Sequence, residues 1–122
     1  MKESAPQSTS LVLAKKLLGT QVTVTIDRPF GSTHPKHGFM YAVNYGYVAG
    51  IQAPDGEDLD AYVLGVDGAM DTFIGTCIAI AHRRDDNDDK LIVVPEGVTM
   101  ADEEILSLIH FQEQWFDTVI QR

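Results

Sequence analysis

Positive charge is scarce in this chain: 9 Lys and Arg stand against 18 Asp and Glu, a net charge of −9 over 122 residues. Nucleic-acid affinity rests on Lys and Arg neutralising phosphates, so this balance argues against a nucleic-acid partner. A polyanion can bind only where divalent cations or a local basic cluster reverse the sign of the field. Cysteine is nearly absent as well. The single Cys77 rules out an intrachain disulfide, and its setting in "FIGTCIAIA" predicts a buried structural thiol. No stretch approaches the ~20 apolar residues that span a bilayer, and the N-terminus lacks a signal-peptide hydrophobic region. The expectation is therefore a cytoplasmic protein with no membrane partner. The chain also lacks a P-loop ending in GK[ST], regular EF-hand spacing and an HExxH pair.

The hydrophobic fraction of 44% is that of an ordinary globular protein, and the length suits one core. Residues 1–10, "MKESAPQSTS", read as a flexible tail, and 11–122 as a single domain. A short helix is predicted over "SLVLAKKL" at 10–17. "TQVTVTI" at 20–26 alternates as a half-buried strand does, with Val22, Val24 and Ile26 facing the core. "DRPFGSTHPKHG" is loop chemistry and unusually basic for this chain. Strands are expected over "FMYAVNYGYVAGI", with Gly46 as a bulge or close-approach point, then over "LDAYVLGV", "TFIGTCIAIA" and "KLIVVP". From Ile105 the period becomes helical through Leu108, Ile109, Phe116 and Val119 or Ile120. This predicts one long C-terminal helix with Thr99 as N-cap, Asp102, Glu103 and Glu104 at the positive end of its dipole, and Trp115 as a packing anchor. Five short strands and one packing helix give an α+β domain, a small OB-like five-stranded β-barrel with a C-terminal α-helix.

Two acidic groups interrupt the strands: Asp55, Glu57, Asp58 and Asp60, and then Asp85, Asp86, Asp88 and Asp89. Oxygen ligands from two separate segments suit a hard cation such as Mg²⁺ or Mn²⁺, which keeps several waters and completes its shell with substrate phosphate. From the residues alone, both groups read first as solvated turns, as Asp-rich loops usually are.

"NYGY" followed about ten residues later by "DGEDLDAYVL" resembles the signature of the family I soluble inorganic pyrophosphatases. The likeness continues through Asp27-Arg28, Ile74-Gly75 and Asp88-x-Lys90, spans roughly 27–95 and touches "IHFQEQW". The resemblance implies Mg²⁺-dependent hydrolysis of pyrophosphate, or of a related phosphoanhydride, by a metal-activated water. It implies Asp55, Asp60 and Asp88 as metal ligands, with Asp85 as a fourth. It places Glu57 as the residue that activates water, and Arg28, Tyr45 and Lys90 as phosphate contacts. A homo-oligomer is compatible with the family.

The chain also departs from the pattern. Glu57 and Asp58 stand where the family has Asp and Pro. Counting back from Lys90 to the remaining ligand reaches Arg83, whereas allowing for a longer loop reaches Asp85. Trp115 and Phe116 stand where a phosphate-contacting Tyr-Lys pair is expected. The basic loop beside Arg28 offers His34, Lys36 and His37 as replacements for the missing phosphate donors. A catalytically weakened metal- and phosphate-binding module is the alternative these departures favour.

Overall fold

A computed structural model describes residues 9–52, 58–85 and 88–122. Among them the chain forms α1 (Thr9–Leu17), β1 (Gln21–Arg28), β2 (Asn44–Gln52), β3 (Asp58–Val63), β4 (Thr72–Arg83), β5 (Asp89–Val94), α2 (Asp102–Glu113) and β6 (Thr118–Gln121). β1 pairs with both β2 and β4, so the order β1-β2-β3-β5-β4 closes on itself as a five-stranded barrel. β3 and β5 run parallel, the other pairs antiparallel, and β6 adds to the outside of β4. The expected α+β barrel with a C-terminal helix is the observed one.

Alternation along the strands builds two cores rather than one. Val22, Val24 and Ile26 of β1 point into the barrel with Leu59, Ala61, Val63, Leu91 and Val93, and α1 closes that core with Leu11 and Ala14. The opposite face of the same strands carries Tyr45, Tyr62, Ile92 and Val94, which pack with Ile105 and Ile109 of α2. β5 serves both cores, and all six of its residues are buried. Cys77 is fully buried in the barrel core, and burial pushes its thiol up to about 11, as an inert structural cysteine requires.

A β-bulge decides which way the end of β4 faces. The register of β4 against β5 slips between Cys77 and Ala79. Cys77 and Ile80 both belong to the barrel core, while Ala79 and Ala81 belong to the helix-facing one, so the side-chain phase inverts across the slip. Without it Arg83, six residues beyond Cys77, would share the inward phase of Cys77. With it, Arg83 emerges on the outer face.

Gly46 is a close-approach point, as its place in "NYGY" predicts. A Cβ there would collide with the backbone carbonyl oxygen of Thr25 and lie 2.8 Å from Ile26 Cα. Neither atom can rotate away. Gly46→Ala should therefore cost about 2 kcal/mol, the usual scale of overpacking, and lower Tm by roughly 6–10 °C in a thermal melt.

Three expectations are corrected. β2 begins at Asn44, not at Phe39; residues 39–43 instead fold back on the preceding loop through Tyr41 N–H to Ser32 O at 2.8 Å, His34 N–H to Phe39 O at 2.8 Å and a bridge between Thr33 and Met40. α2 ends at Glu113, and the following β-branched run Thr118-Val119-Ile120 pairs with the open edge of β4. Both helix and strand periods could accommodate those apolar residues, and the unpaired backbone of β4 decides for the strand. The N-cap is Ala101, with no side-chain cap bond, rather than Thr99, although Asp102, Glu103 and Glu104 do occupy the first turn.

Candidate functional site

The outer face of β2, β3 and β5, the C-terminal end of α2 and the arm between β1 and β2 enclose a cleft of about 720 Å³. The arm is fixed by Asn44, which is buried: its side-chain oxygen accepts from Phe30 N–H at 2.8 Å and its amide donates to Gly68 O at 2.9 Å. Arg28, at the end of β1, lines the cleft together with His34, His37 and Phe39 of the arm.

The parallel pairing of β3 with β5 sets Asp60 opposite Lys90, and this register makes the floor of the cleft. Lys90 Nζ lies 2.8 Å from Asp60 Oδ2 and 2.9 Å from Asp88 Oδ2. Tyr45 Oη donates to the same Asp60 oxygen at 2.7 Å. The Lys90 side chain is 6% exposed, against 38% for Asp60 and 45% for Asp88, so an interior ammonium is held between two half-open carboxylates. Burial would lower its pKa, but the Asp60 and Asp88 charges outweigh that and raise it. Burial, reinforced by the Asp60 charge, holds the Tyr45 phenol well above its ordinary value, so Tyr45 acts as a neutral donor.

Behind the floor lies a buried polar network that sequence reasoning missed. Arg83 Nε and Nη2 each lie 2.9 Å from a Glu113 oxygen, a bidentate pair, and its guanidinium stacks 3.7 Å above the Phe116 ring. Glu113 also accepts from Tyr62 Oη at 2.5 Å and Thr118 Oγ1 at 2.6 Å. Gln112 links Tyr62 to Tyr41: its amide donates to Tyr62 Oη at 2.7 Å and its oxygen accepts from Tyr41 Oη at 2.9 Å. Arg83 reaches forward as well, with Nη1 3.3 Å from Asp88 Oδ2. A signal was present: Gln112 falls on the buried helical stripe defined by Ile105 and Ile109, where a polar side chain needs a buried partner.

Arg28, Tyr45, Asp60 and Lys90 thus meet in one cleft, and Asp88 joins them through Lys90. Asp85 is placed elsewhere, on the exposed turn after β4, where its carboxylate accepts from Asp117 N–H at 3.2 Å. Lys36 is exposed on the arm and is not among the cleft-lining residues, while its neighbours His34 and His37 are. Trp115 is not a packing anchor. It follows the end of α2, is 60% exposed and forms part of the cleft rim. Asp55 and Glu57 lie outside the described residues. Among the described residues no group of three or more acidic, His or Cys side chains converges as a metal cage.

The chain's likeness to known proteins is one of shape. No protein-family model matches the chain, and no curated protein does at the level of sequence. Solved structures do. The inorganic pyrophosphatase of Ehrlichia chaffeensis superposes with a TM-score of 0.62 over 85% of this chain and 86% of its own, at 16% identity. The fold is pyrophosphatase-like. The inorganic pyrophosphatase of Coxiella burnetii matches 97% of this chain and 88% of its own, at a TM-score of 0.55 and 18% identity. That of Helicobacter pylori matches 98% and 86%, at 0.52 and 15%. On this pyrophosphatase-like barrel the cleft occupies the outer face of β2, β3 and β5, which also carries Tyr45, Asp60 and Lys90.

Proposed function

We propose that the cleft binds a phosphoanhydride of the pyrophosphate type and hydrolyses it with the help of a divalent cation. The observation that carries this reading is Lys90, an interior ammonium held by Asp60 and Asp88 at the floor of a cleft that Arg28 also lines, on a pyrophosphatase-like barrel. In a chain of net charge −9, the cations Arg28 and Lys90 are matched here by Asp60 and Asp88, so a divalent cation is what would turn the field in favour of a polyanion.

The donor set suits Mg²⁺ or Mn²⁺. Asp60 and Asp88 present hard oxygens drawn together by one lysine, and Mg²⁺ commonly takes one or two carboxylates, several waters and the substrate's own phosphate oxygens. Asp60 and Asp88 would hold the ion, with Asp55 as a further ligand, and when bound it would supply an acidified water and neutralise phosphate charge. The chain's own residues would do the rest. Two of the three N–H donors of Lys90 serve Asp60 and Asp88, and the third would serve a phosphate oxygen. Arg28 would bind the opposite phosphate from the cleft wall, with the bidentate geometry a guanidinium favours. Tyr45 would keep Asp60 oriented. Glu57 would take the proton of the attacking water. In the reaction a water oxygen bonds to phosphorus, the bridging P–O bond breaks, and the bridging oxygen leaves as phosphate.

A second reading has an observation of its own. Asp88 already contacts Arg83 as well as Lys90, so internal cations offset part of the charge a metal would neutralise, which suits a binding module of weakened activity.

Phosphate release from pyrophosphate separates the two. The hydrolase reading expects turnover with Mg²⁺, none after EDTA, and a raised Mg²⁺ requirement in Asp60→Asn. Calorimetric binding of pyrophosphate without phosphate release would establish the module instead.

A further inference from the structure

The cleft is much larger than inorganic pyrophosphate, and half of its wall is aromatic. At about 720 Å³ it falls within the roughly 300–1,000 Å³ typical of sites for organic ligands. A file of rings leads from its rim to its floor. Trp115 lies 5.5 Å from Phe39, Phe39 5.5 Å from Tyr41, and Tyr41 5.6 Å from Tyr45, whose ring is 5.8 Å from Lys90 Nζ. The two histidines join the rim, His34 at 4.9 Å from Phe39 and His37 at 4.7 Å from His34.

At the outer end of this file Phe39 packs in part against the α2-facing core, whereas Trp115 is left open to solvent. Tyr41 and Tyr45 are buried, but Trp115 is 60% exposed, and it is the single tryptophan of the chain. The exposed indole is continuous with the ring file and lines the same cleft as Arg28 and Lys90, so a ligand held at those cations can reach its face. A diphosphate held at Arg28 and Lys90 has no group to place there. The polar edges of the rim are set as well. His34 Nδ1 accepts from the backbone N–H groups of Lys36 and His37, at 3.0 and 3.1 Å, so its proton resides on Nε2. Burial, followed by the charges of His37, Arg28 and Lys36, lowers its pKa, in line with the two backbone N–H groups that Nδ1 accepts as an unprotonated nitrogen.

We propose that the rim formed by His34, Phe39 and Trp115 is a stacking site for a nucleobase, and that the ligand of this cleft is a nucleoside diphosphate or triphosphate whose phosphates meet Arg28 and Lys90. The proposal rests on the reading that the floor receives phosphates. Every base has a flat face that stacks on aromatic side chains, and the acceptors of its edge suit the Nε2–H donor of His34. A flexible alkyl diphosphate could bury its chain on the ring faces but would leave the polar edge of His34 without a partner. In turnover, water would attack one phosphorus, the phosphoanhydride P–O bond would break, and the products would be a shorter nucleotide and phosphate or pyrophosphate.

Two analogues inert to hydrolysis test this without requiring catalysis: α,β-methylene ADP, which carries a base, and methylenediphosphonate, which does not. Trp115 is its own reporter. The proposal expects the nucleotide analogue to quench Trp115 fluorescence while methylenediphosphonate leaves it unmoved, and calorimetry to give the nucleotide analogue at least tenfold tighter binding. Phe39→Ala and Trp115→Ala should each reduce that preference about tenfold, and Trp115→Phe should retain most of it. Equal affinity for the two analogues, no binding of either, or an unaltered preference in both alanine variants would overturn the proposal. An alkyl diphosphate competing as well as the nucleotide analogue would overturn the nucleobase assignment. A lack of pyrophosphate turnover bears only on the hydrolase reading, because neither analogue is cleaved.

Discussion

Replacing Lys90 by Met is expected to reduce kcat/KM for pyrophosphate by about 10²–10³, the scale on which a preorganised charge-stabilising donor is lost. The same change should leave the fold almost as stable as before. Lys90 is an interior side chain, so Met fills its space, while Asp60 and Asp88 are 38% and 45% exposed and can recover hydration when the ammonium is removed. The split between a large kinetic loss and a small Tm change distinguishes a binding cation from a structural one. Steady-state phosphate release and a thermal melt on the same preparation check both halves.

The Arg83–Glu113 pair predicts the opposite split. Arg83 and Glu113 side chains are 8% and 3% exposed, and the pair is bidentate. Removing one member leaves a buried charge uncompensated, which typically costs about 3–5 kcal/mol. Arg83→Met should therefore lower Tm by roughly 10–20 °C. The double variant Arg83→Met/Glu113→Gln should recover much of that loss, since neither charge then remains.

The pH dependence rests on the same residues. Burial works against ionisation of Glu113, but the hydrogen bonds from Arg83, Thr118 and Tyr62 and the Arg83 charge outweigh it and lower its pKa from 4.5. A carboxyl whose folded pKa is depressed contributes stability that is fully present above its unfolded pKa and lost as pH falls through the folded one. Denaturant melts of the wild type should therefore lose stability as pH falls below 4.5, and Glu113→Gln should flatten that acid limb.

Much of the barrel was legible because its signals are local. Val22, Val24 and Ile26 alternate in the sequence and alternate in burial. Gly46 announced a close approach that only a residue without Cβ permits. The end of the chain was not legible in the same way: Phe116, Val119 and Ile120 fit a helical period, and only the unpaired edge of β4, a long-range fact, makes Thr118–Gln121 a strand. The site divides along the same line. Asp60 and Lys90 are separated by thirty residues yet adjacent by register, and the motif that marks one does not place the other.

Arg83 is the sharper lesson. Counting back from Lys90 puts it where a carboxylate is expected, and the bulge between Cys77 and Ala79 then turns it outward to Glu113 and Asp88. A bulge leaves little trace in residue type, so the inversion of phase was invisible beforehand. The aromatic rim was hidden for a different reason. Phe39 and Trp115 lie far apart in the chain, and each reads as an ordinary packing residue until the arm folds back over the end of α2.

The central claim is that this cleft cleaves a phosphoanhydride at a floor built on Lys90. Phosphorus NMR of pyrophosphate incubated with the wild type and with Lys90→Met, each in the presence of Mg²⁺, tests it most directly. The pyrophosphate resonance is expected to give way to phosphate with the wild type, to stop doing so on addition of EDTA, and to persist at least about 10² times longer with Lys90→Met. A pyrophosphate resonance that persists with the wild type in Mg²⁺ and in Mn²⁺, or that decays equally fast with both proteins, would contradict it.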